Sequence, residues 1–532
     1  MTEVLEELVQ DVTNRAGRLE GPAEAAAVLE SIGVNDDRAQ RMGRDSVFGL
    51  ADEVAGYQRE VPAAVEQRAS VETALREERA RPHSRRALGP PRTRTLVRGL
   101  AFAVPLVSPL GAALLLTGPL WTGPGTDIPR ATAIGVAIVA SFVATAGFAQ
   151  VTARRVQGDL GHRAPLLAMR SGLLLAAVGV VGAVLAGLAL WGLLEWKPFV
   201  APDQVGTTLQ SFALLAALWL CAPLLSGQGR EGWFAVAVAA GVAAGILVHG
   251  PGHASLVAAH RSGILVAVWV SITAAVALLF RDEHREMPRR SSTWAPELAP
   301  LAETARRMAP YALFGLALAG FLFADRMAAW YSQRPFHEWI LGFQPDYEAG
   351  WDWALAAVVA GVVVVRSSAE RFGGLVRSLS YRHPLSAERE MSAELRASYR
   401  RSVSRLAVAC VAGAVVTFLV VVWLIVSLPS VDRVVTKHSA YVFAMAGPAL
   451  FLVLWSLLNV AVLFDLARVR AAVWAAWLAV VADLAVATPL SVHVRAWWAV
   501  FGLVAGAAVL WLVTTLGVRR VLRQPELALA TA

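Results

Sequence analysis

Residues 440–464 read AYVFAMAGPALFLVLWSLLNVAVLF, which is 25 residues without an Asp, Glu, Lys or Arg. About 20 apolar residues in a helix span the hydrocarbon core of a bilayer, so this run predicts a membrane-spanning helix. Similar runs recur from residue 100 onward. Over all 532 residues, 56% are hydrophobic and 17% are charged, whereas soluble domains carry about 25% charged residues. The chain is therefore predicted to be an all-α polytopic membrane protein.

Twelve apolar segments of this kind are predicted, in two sets of six. The first set is Leu100–Leu120, Ala131–Val151, Gly172–Leu194, Thr207–Ser226, Trp233–Val248 and Ile264–Phe280. The second set is Tyr311–Tyr331, Trp353–Val365, Leu406–Leu428, Ala440–Phe464, Ala471–Leu490 and Ala496–Val518. We interpret them as two six-helix lobes, at 99–280 and 309–518. A polar stretch at 281–308 is the predicted cytoplasmic linker, and 519–532 is the predicted tail.

The distribution of basic residues predicts the orientation. With the N-terminus inside, the inner loops hold 25 arginines and the outer loops hold 7 lysines or arginines. Cytoplasmic loops of membrane proteins carry such an excess. We therefore predict a protein of the bacterial plasma membrane with both termini in the cytoplasm.

The first 98 residues are predicted to form a separate cytoplasmic unit. Residues 1–80 have amphipathic spacing in several short runs, which indicates a small helical module. Residues 81–98 are rich in Arg and Pro and are predicted to be a linker. Four acidic residues among the first eleven argue against a cleaved signal peptide.

Ionisable residues inside predicted membrane helices are the first candidates for function, because charge is costly there. Asp325 and Asp483 both fall in the outer half of their helices, and Arg326 adjoins Asp325. Either acid is a candidate proton or cation site. Since neighbours in sequence do not face each other on a helix, an interhelical pair between Arg326 and Asp483 is one alternative. A purely structural ion pair, or a side chain reaching the outer interface, is another.

Aromatic residues are dense after the seventh predicted helix. Trp330, Tyr331 and Trp339 are candidates for contact with a sugar in the predicted outer loop 332–352. Trp and Tyr also gather at every membrane interface, so an interfacial belt is the competing interpretation.

No cofactor, metal, nucleic-acid or catalytic site is predicted. The sequence has no nucleotide-binding P-loop. Its two cysteines, Cys221 and Cys410, lie inside apolar runs, and His249, His253 and His260 lack acidic neighbours at ligand spacing.

Three short stretches in the second half of the chain carry a family resemblance. They are Phe323-Ala-Asp325-Arg326 followed by Trp330, the run from Val364 to Phe372, and Leu463-Phe-Asp465. From about Tyr311 onward the sequence resembles the PelG-like exopolysaccharide transporters of the multidrug/oligosaccharidyl-lipid/polysaccharide flippase superfamily. The resemblance implies a non-enzymatic translocator whose partners are membrane lipid and a polysaccharide or lipid-linked glycan, and it makes Asp325 and Arg326 family-like positions.

Other functions remain open at this point. One is a non-transporting membrane subunit of an exopolysaccharide synthase, which would recruit a cytoplasmic glycosyltransferase through residues 1–98. Another is a small-molecule exporter of this superfamily or of the major facilitators, whose inner-loop pattern is partly matched by Asp159, Gly161 and Arg163. The third is a polytopic glycosyl- or acyltransferase, although no acidic pair or His beside a large soluble domain is evident.

Overall fold

The computed structural model describes residues 21–60, 127–161, 165–250, 255–286, 301–332, 338–382, 388–427 and 436–523, with a few positions between 8 and 19. Its regular elements within these ranges are helices. They are α1 (Pro22–Ser31), α2 (Asp36–Arg41), α3 (Val47–Glu60), α4 (Ile128–Gly161), α5 (Pro165–Trp196), α6 (Val205–Gly227), α7 (Glu231–His249), α8 (Leu256–Glu286), α9 (Leu301–Tyr331), α10 (Pro345–Arg382), α11 (Glu388–Ser427), α12 (Lys437–Asp465), α13 (Val469–His493) and α14 (Val500–Val521). The chain divides into two compact units, 1–91 and 92–532.

The first unit contains α1 to α3 around a small apolar core. Leu29 and Leu50 are almost fully buried in it. The side chain of Asn35 accepts a hydrogen bond of 3.1 Å from the backbone of Arg38, which caps α2. The Arg44 guanidinium forms a hydrogen-bonded pair with Glu53, which lowers the pKa of that carboxyl below its ordinary value. The predicted cytoplasmic module at 1–80 and its boundary stay predictions.

The second unit is built from α4 to α14. In the part of the chain that the structure describes, eleven helices are long and apolar enough to cross a membrane. They follow the last eleven predicted segments in order. The first predicted segment, Leu100–Leu120, lies outside the described residues, so the count of twelve stays a prediction. The predicted linker at 281–308 is shortened from both sides, because α8 continues to Glu286 and α9 begins at Leu301.

One predicted boundary is wrong. The sequence placed a loop at 332–352 and a short helix at Trp353–Val365, whereas α10 is a single helix of 38 residues that begins at Pro345. The carboxylates of Asp346, Glu348 and Asp352 lower the hydropathy of its first turns, so the sequence predicted a loop there. Proline at the first position and acids in the first turn are signals of a helix N-terminus.

The two lobes repeat the same helix pairings. In the first lobe α4 packs on α5 and α6, α6 on α8, and α7 on α8. In the second lobe α10 packs on α11 and α12, α12 on α14, and α13 on α14. Between the lobes α4 packs along α9, where a Cβ built on Gly315 would lie 2.6 Å from the carbonyl oxygen of Ala146. Small residues allow this close approach of two backbones.

We name the two ends of the bundle after the predicted orientation. The end that carries Thr132, Phe199 and the segment 338–344 is called the outer end, and the end that carries Gly161, Glu231 and Asp465 is called the inner end. On the flanks, α5 and α11 expose rows of apolar side chains, such as Leu185 and Val411, which are 62% and 66% exposed. Such a surface is suited to contact with lipid.

Candidate functional site

Asp325 lies on α9 and is completely buried. Its Oδ2 accepts a hydrogen bond of 2.5 Å from the Tyr347 hydroxyl and one of 3.3 Å from the indole nitrogen of Trp351. Its Oδ1 has no hydrogen-bond partner among the described residues. Both donors come from the first two turns of α10, so this carboxylate joins α9 to the start of α10.

Arg326 is committed to a different carboxylate. Its guanidinium lies 3.3 Å from Glu348 Oε2 and 3.7 Å from the ring centre of Trp351. Trp330 donates a hydrogen bond of 3.1 Å from its indole nitrogen to Glu348 Oε1. The alternative of an Arg326–Asp483 pair is therefore not what the structure forms. Arg326 takes its partner from α10 rather than from α13.

Asp483 lies on α13 and is also completely buried. Neither of its carboxylate oxygens has a hydrogen-bond partner in the described part of the chain. Glycines of α14 face it: a Cβ built on Gly502 would lie 2.4 Å from Asp483 Oδ1, and one on Gly506 would lie 3.1 Å from its Cβ. The helices that carry the two buried acids, α9 and α13, pack along each other.

The buried charges of this site do not balance. Among the described residues, the Arg326 guanidinium is paired with Glu348, whereas no ion pair is formed by Asp325 or Asp483. A buried ionised carboxylate without a counter-charge costs several kcal/mol, roughly, so a bound proton or a bound cation would stabilise each of these two acids.

The predicted aromatic residues differ in burial. Trp330 is 2% exposed, and its indole nitrogen donates a hydrogen bond to Glu348. Tyr331 ends α9 and Trp339 lies in the segment 338–344, and both are half-buried. The hydrogen-bond partners of Asp325 come from α10 instead.

Sequence reasoning missed Tyr347, Glu348 and Trp351 as members of the site, because it assigned them to a loop. A signal was present. Tyr347 and Trp351 are four residues apart, as are Glu348 and Asp352, and both pairs follow Pro345. Residues at this spacing share one helix face.

No metal centre is evident in the described residues, where no three His, Cys, Asp or Glu side chains converge as ligands. His253, one of the three histidines considered above, lies outside them.

Comparison with solved structures shows that this fold is shared with known membrane transporters. A MATE transporter in complex with MaL6 superposes with a TM-score of 0.53 at 14% identity, covering 82% of this chain and 97% of that one. A MOP superfamily transporter from Pyrococcus furiosus gives 0.53 at 15% identity, over 82% and 98%. MATE in the straight conformation gives 0.54 at 15% identity, over 82% and 97%. At this identity the likeness establishes the fold alone.

The family is shown by the sequence. The family model PelG, described as a putative exopolysaccharide exporter (EPS-E), matches residues 131–527. The chain therefore belongs to the PelG family, as the resemblance around Asp325 implied. Comparison with curated proteins gives no significant match.

Proposed function

We propose that this protein moves a polysaccharide or a lipid-linked glycan across the bacterial plasma membrane by alternating access. The membership of an exopolysaccharide exporter family supports this class of cargo. The second observation is energetic: Asp325 and Asp483 are buried carboxylates without an ion pair among the described residues, since Arg326 is paired with Glu348. In this proposal they bind the proton or cation whose gradient drives transport.

Contacts at both ends of the bundle support alternating access. At the outer end, the backbone nitrogen of Leu341 donates to the carbonyl oxygen of Phe199 at 3.1 Å, and that of Phe343 donates to Thr132 Oγ1 at 3.0 Å. At the inner end, Arg154 donates to the carbonyl oxygen of Phe464 at 3.1 Å. Each contact joins the two lobes. A cycle that opens one end at a time has to break them in turn.

The site is connected to the outer contacts. Tyr347, which holds Asp325, lies three residues beyond the segment 338–344 that contacts the first lobe. Trp330, which holds Glu348, also accepts the backbone hydrogen bond of Gly342 at 3.0 Å. Binding and release of a cation at Asp325 would therefore act on the same residues that close the outer end.

Two alternatives remain proposals. The first alternative is a non-transporting synthase subunit. The first unit has its own core, and in this alternative its surface would bind a cytoplasmic glycosyltransferase. The second alternative is a small-molecule exporter, since a multidrug resistance MATE family transporter shares the fold.

Reconstitution into vesicles separates these functions. We expect purified protein to move a fluorescent lipid-linked oligosaccharide between leaflets faster than protein-free vesicles do, and to do so faster still under an imposed proton or sodium gradient. Movement of a soluble labelled polysaccharide instead would assign the polymer as cargo. Efflux of a cationic dye with no glycan movement would favour the small-molecule exporter, and no movement of either would favour the synthase subunit.

A further inference from the structure

A second charged cluster lies at the inner end, far along α10 from the site described above. Arg366 forms an ion pair with Glu231 and lies 3.3 Å from Glu370. The side chain of Glu231 is only 2% exposed, and those of Arg366 and Glu370 are 23% and 16% exposed. One guanidinium is thus shared by two carboxylates in a largely buried place.

The two carboxylates belong to different lobes. Glu231 begins α7 in the first lobe, where α7 packs mainly on α8. Arg366 and Glu370 lie on α10 of the second lobe, which packs on α11 and α12. The contact between Glu231 and Arg366 is therefore a link between lobes made by side chains.

Each member of this cluster keeps a favourable environment if the link is broken. Arg366 retains Glu370, because the two are four residues apart on one helix face. Glu231 remains in the first turn of α7, where the positive end of the helix dipole stabilises a carboxylate. A buried pair that loses one partner ordinarily leaves an uncompensated charge, which is strongly destabilising. This arrangement lowers that cost on both sides, as a contact that breaks and reforms requires.

We propose that Arg366 is a reversible latch that holds the inner ends of the two lobes together. In the closed arrangement it is shared between Glu231 and Glu370. Opening of the inner end transfers it to Glu370 alone, so Glu231 favours the closed state and Glu370 favours the open state. The proposal rests on the proposed function only in requiring that the lobes move relative to each other.

Distance measurements between spin labels test the latch without any substrate. Labels at Gln157→Cys on α4 and Ala397→Cys on α11 report the separation of the inner ends, since both positions are exposed. The native Cys221 and Cys410 are replaced by Ser and Ala. Glu303→Gln is the matched control, because Glu303 forms an exposed pair with Arg307 four residues along α9.

The two carboxylates have opposite expected effects. Glu231→Gln should raise the population with long distances about tenfold, which corresponds to about 1.4 kcal/mol. Glu370→Gln should lower that population or leave it as in the wild type, and Glu303→Gln should change nothing. An unchanged distribution in Glu231→Gln, or the same opening in Glu370→Gln, would overturn the latch. If Glu231→Gln does not fold, Glu370→Gln alone tests the proposal. A larger population with long distances in that variant contradicts the latch, and a smaller one supports it. Because no transported molecule is involved, failure of this test leaves the cargo and the coupling site untouched.

Discussion

The helix pairs α7–α8 and α13–α14 have the same place in the two lobes and are built differently where they touch. In the first lobe, a Cβ on Gly241 would lie 2.4 Å from the carbonyl oxygen of Gly263, so two glycines bring the backbones into contact. In the second lobe, Gly502 and Gly506 lie at the contact, and Gly502 faces the carboxylate of Asp483. The same close pairing thus forms with and without a carboxylate.

A buried acid such as Asp483 is therefore not needed for this close pairing of two helices. Along the middle of α4, Ser141 and Thr145 satisfy their hydroxyls on carbonyl oxygens of their own helix, at 3.0 and 2.7 Å. Such groups cost little in a membrane, because they leave no donor unpaired. Asp325 and Asp483 carry a real energetic cost. In the proposed function, the need for a titratable or cation-binding group accounts for their presence.

Replacing Arg326 should give the largest change in stability. The variant Arg326→Gln leaves Glu348, Asp325 and Asp483 together without their guanidinium. We expect a loss of about 3–5 kcal/mol, as for other buried pairs that lose one partner. Thermal unfolding in detergent measures it. A variant as stable as the wild type would show that the second lobe tolerates its acids without Arg326. That result would contradict the energetic cost assigned to these acids.

A methyl group at the glycine contact of the first lobe should have a smaller effect. Gly241→Ala forces its Cβ against the Gly263 carbonyl, and overpacking of this kind costs about 1–3 kcal/mol. Gly192→Ala in α5 of the same lobe is the control, since no other part of the described structure lies within 4 Å of a Cβ there. That variant should gain about 0.5–1 kcal/mol from the higher helix propensity of Ala. Equal unfolding temperatures for the two variants would contradict the described contact.

The smallest effect is expected for Asp483→Asn. The amide keeps the shape of the side chain and removes a charge that has no partner, so stability should change by less than about 1 kcal/mol or rise. Asp159→Asn in the first lobe is the matched change. Asp159 lies 3.1 Å from Arg155 and accepts a hydrogen bond of 2.6 Å from Ser171, so its replacement should be the more destabilising. The reverse order would mean that Asp483 holds helices together.

Much of this fold could be predicted from the sequence, because apolar runs of bilayer length are a strong signal. The order of the helices was predicted from composition, and Asp325 was selected as a candidate from its place in an apolar run and in the family-like stretch. The start of α10 was not predicted, since Glu348 and Asp352 give it the composition of a loop, and the pairing of Glu348 with Arg326 is visible only in the structure. The absence of hydrogen-bond partners around Asp483 could not be predicted either. It depends on packing against Gly502, which lies on another helix, and no sequence pattern near Asp483 indicates that contact.

The most direct test of the coupling role uses Asp325→Asn in vesicles that carry a proton or sodium gradient. The amide oxygen can still accept the hydrogen bond of Tyr347, so we expect folding and binding of the fluorescent lipid-linked oligosaccharide to be retained. Accumulation of that glycan against its own gradient should fall at least about tenfold, because the site can no longer bind and release a cation in each cycle. Accumulation equal to that of the wild type would show that Asp325 is structural, and it would contradict the account.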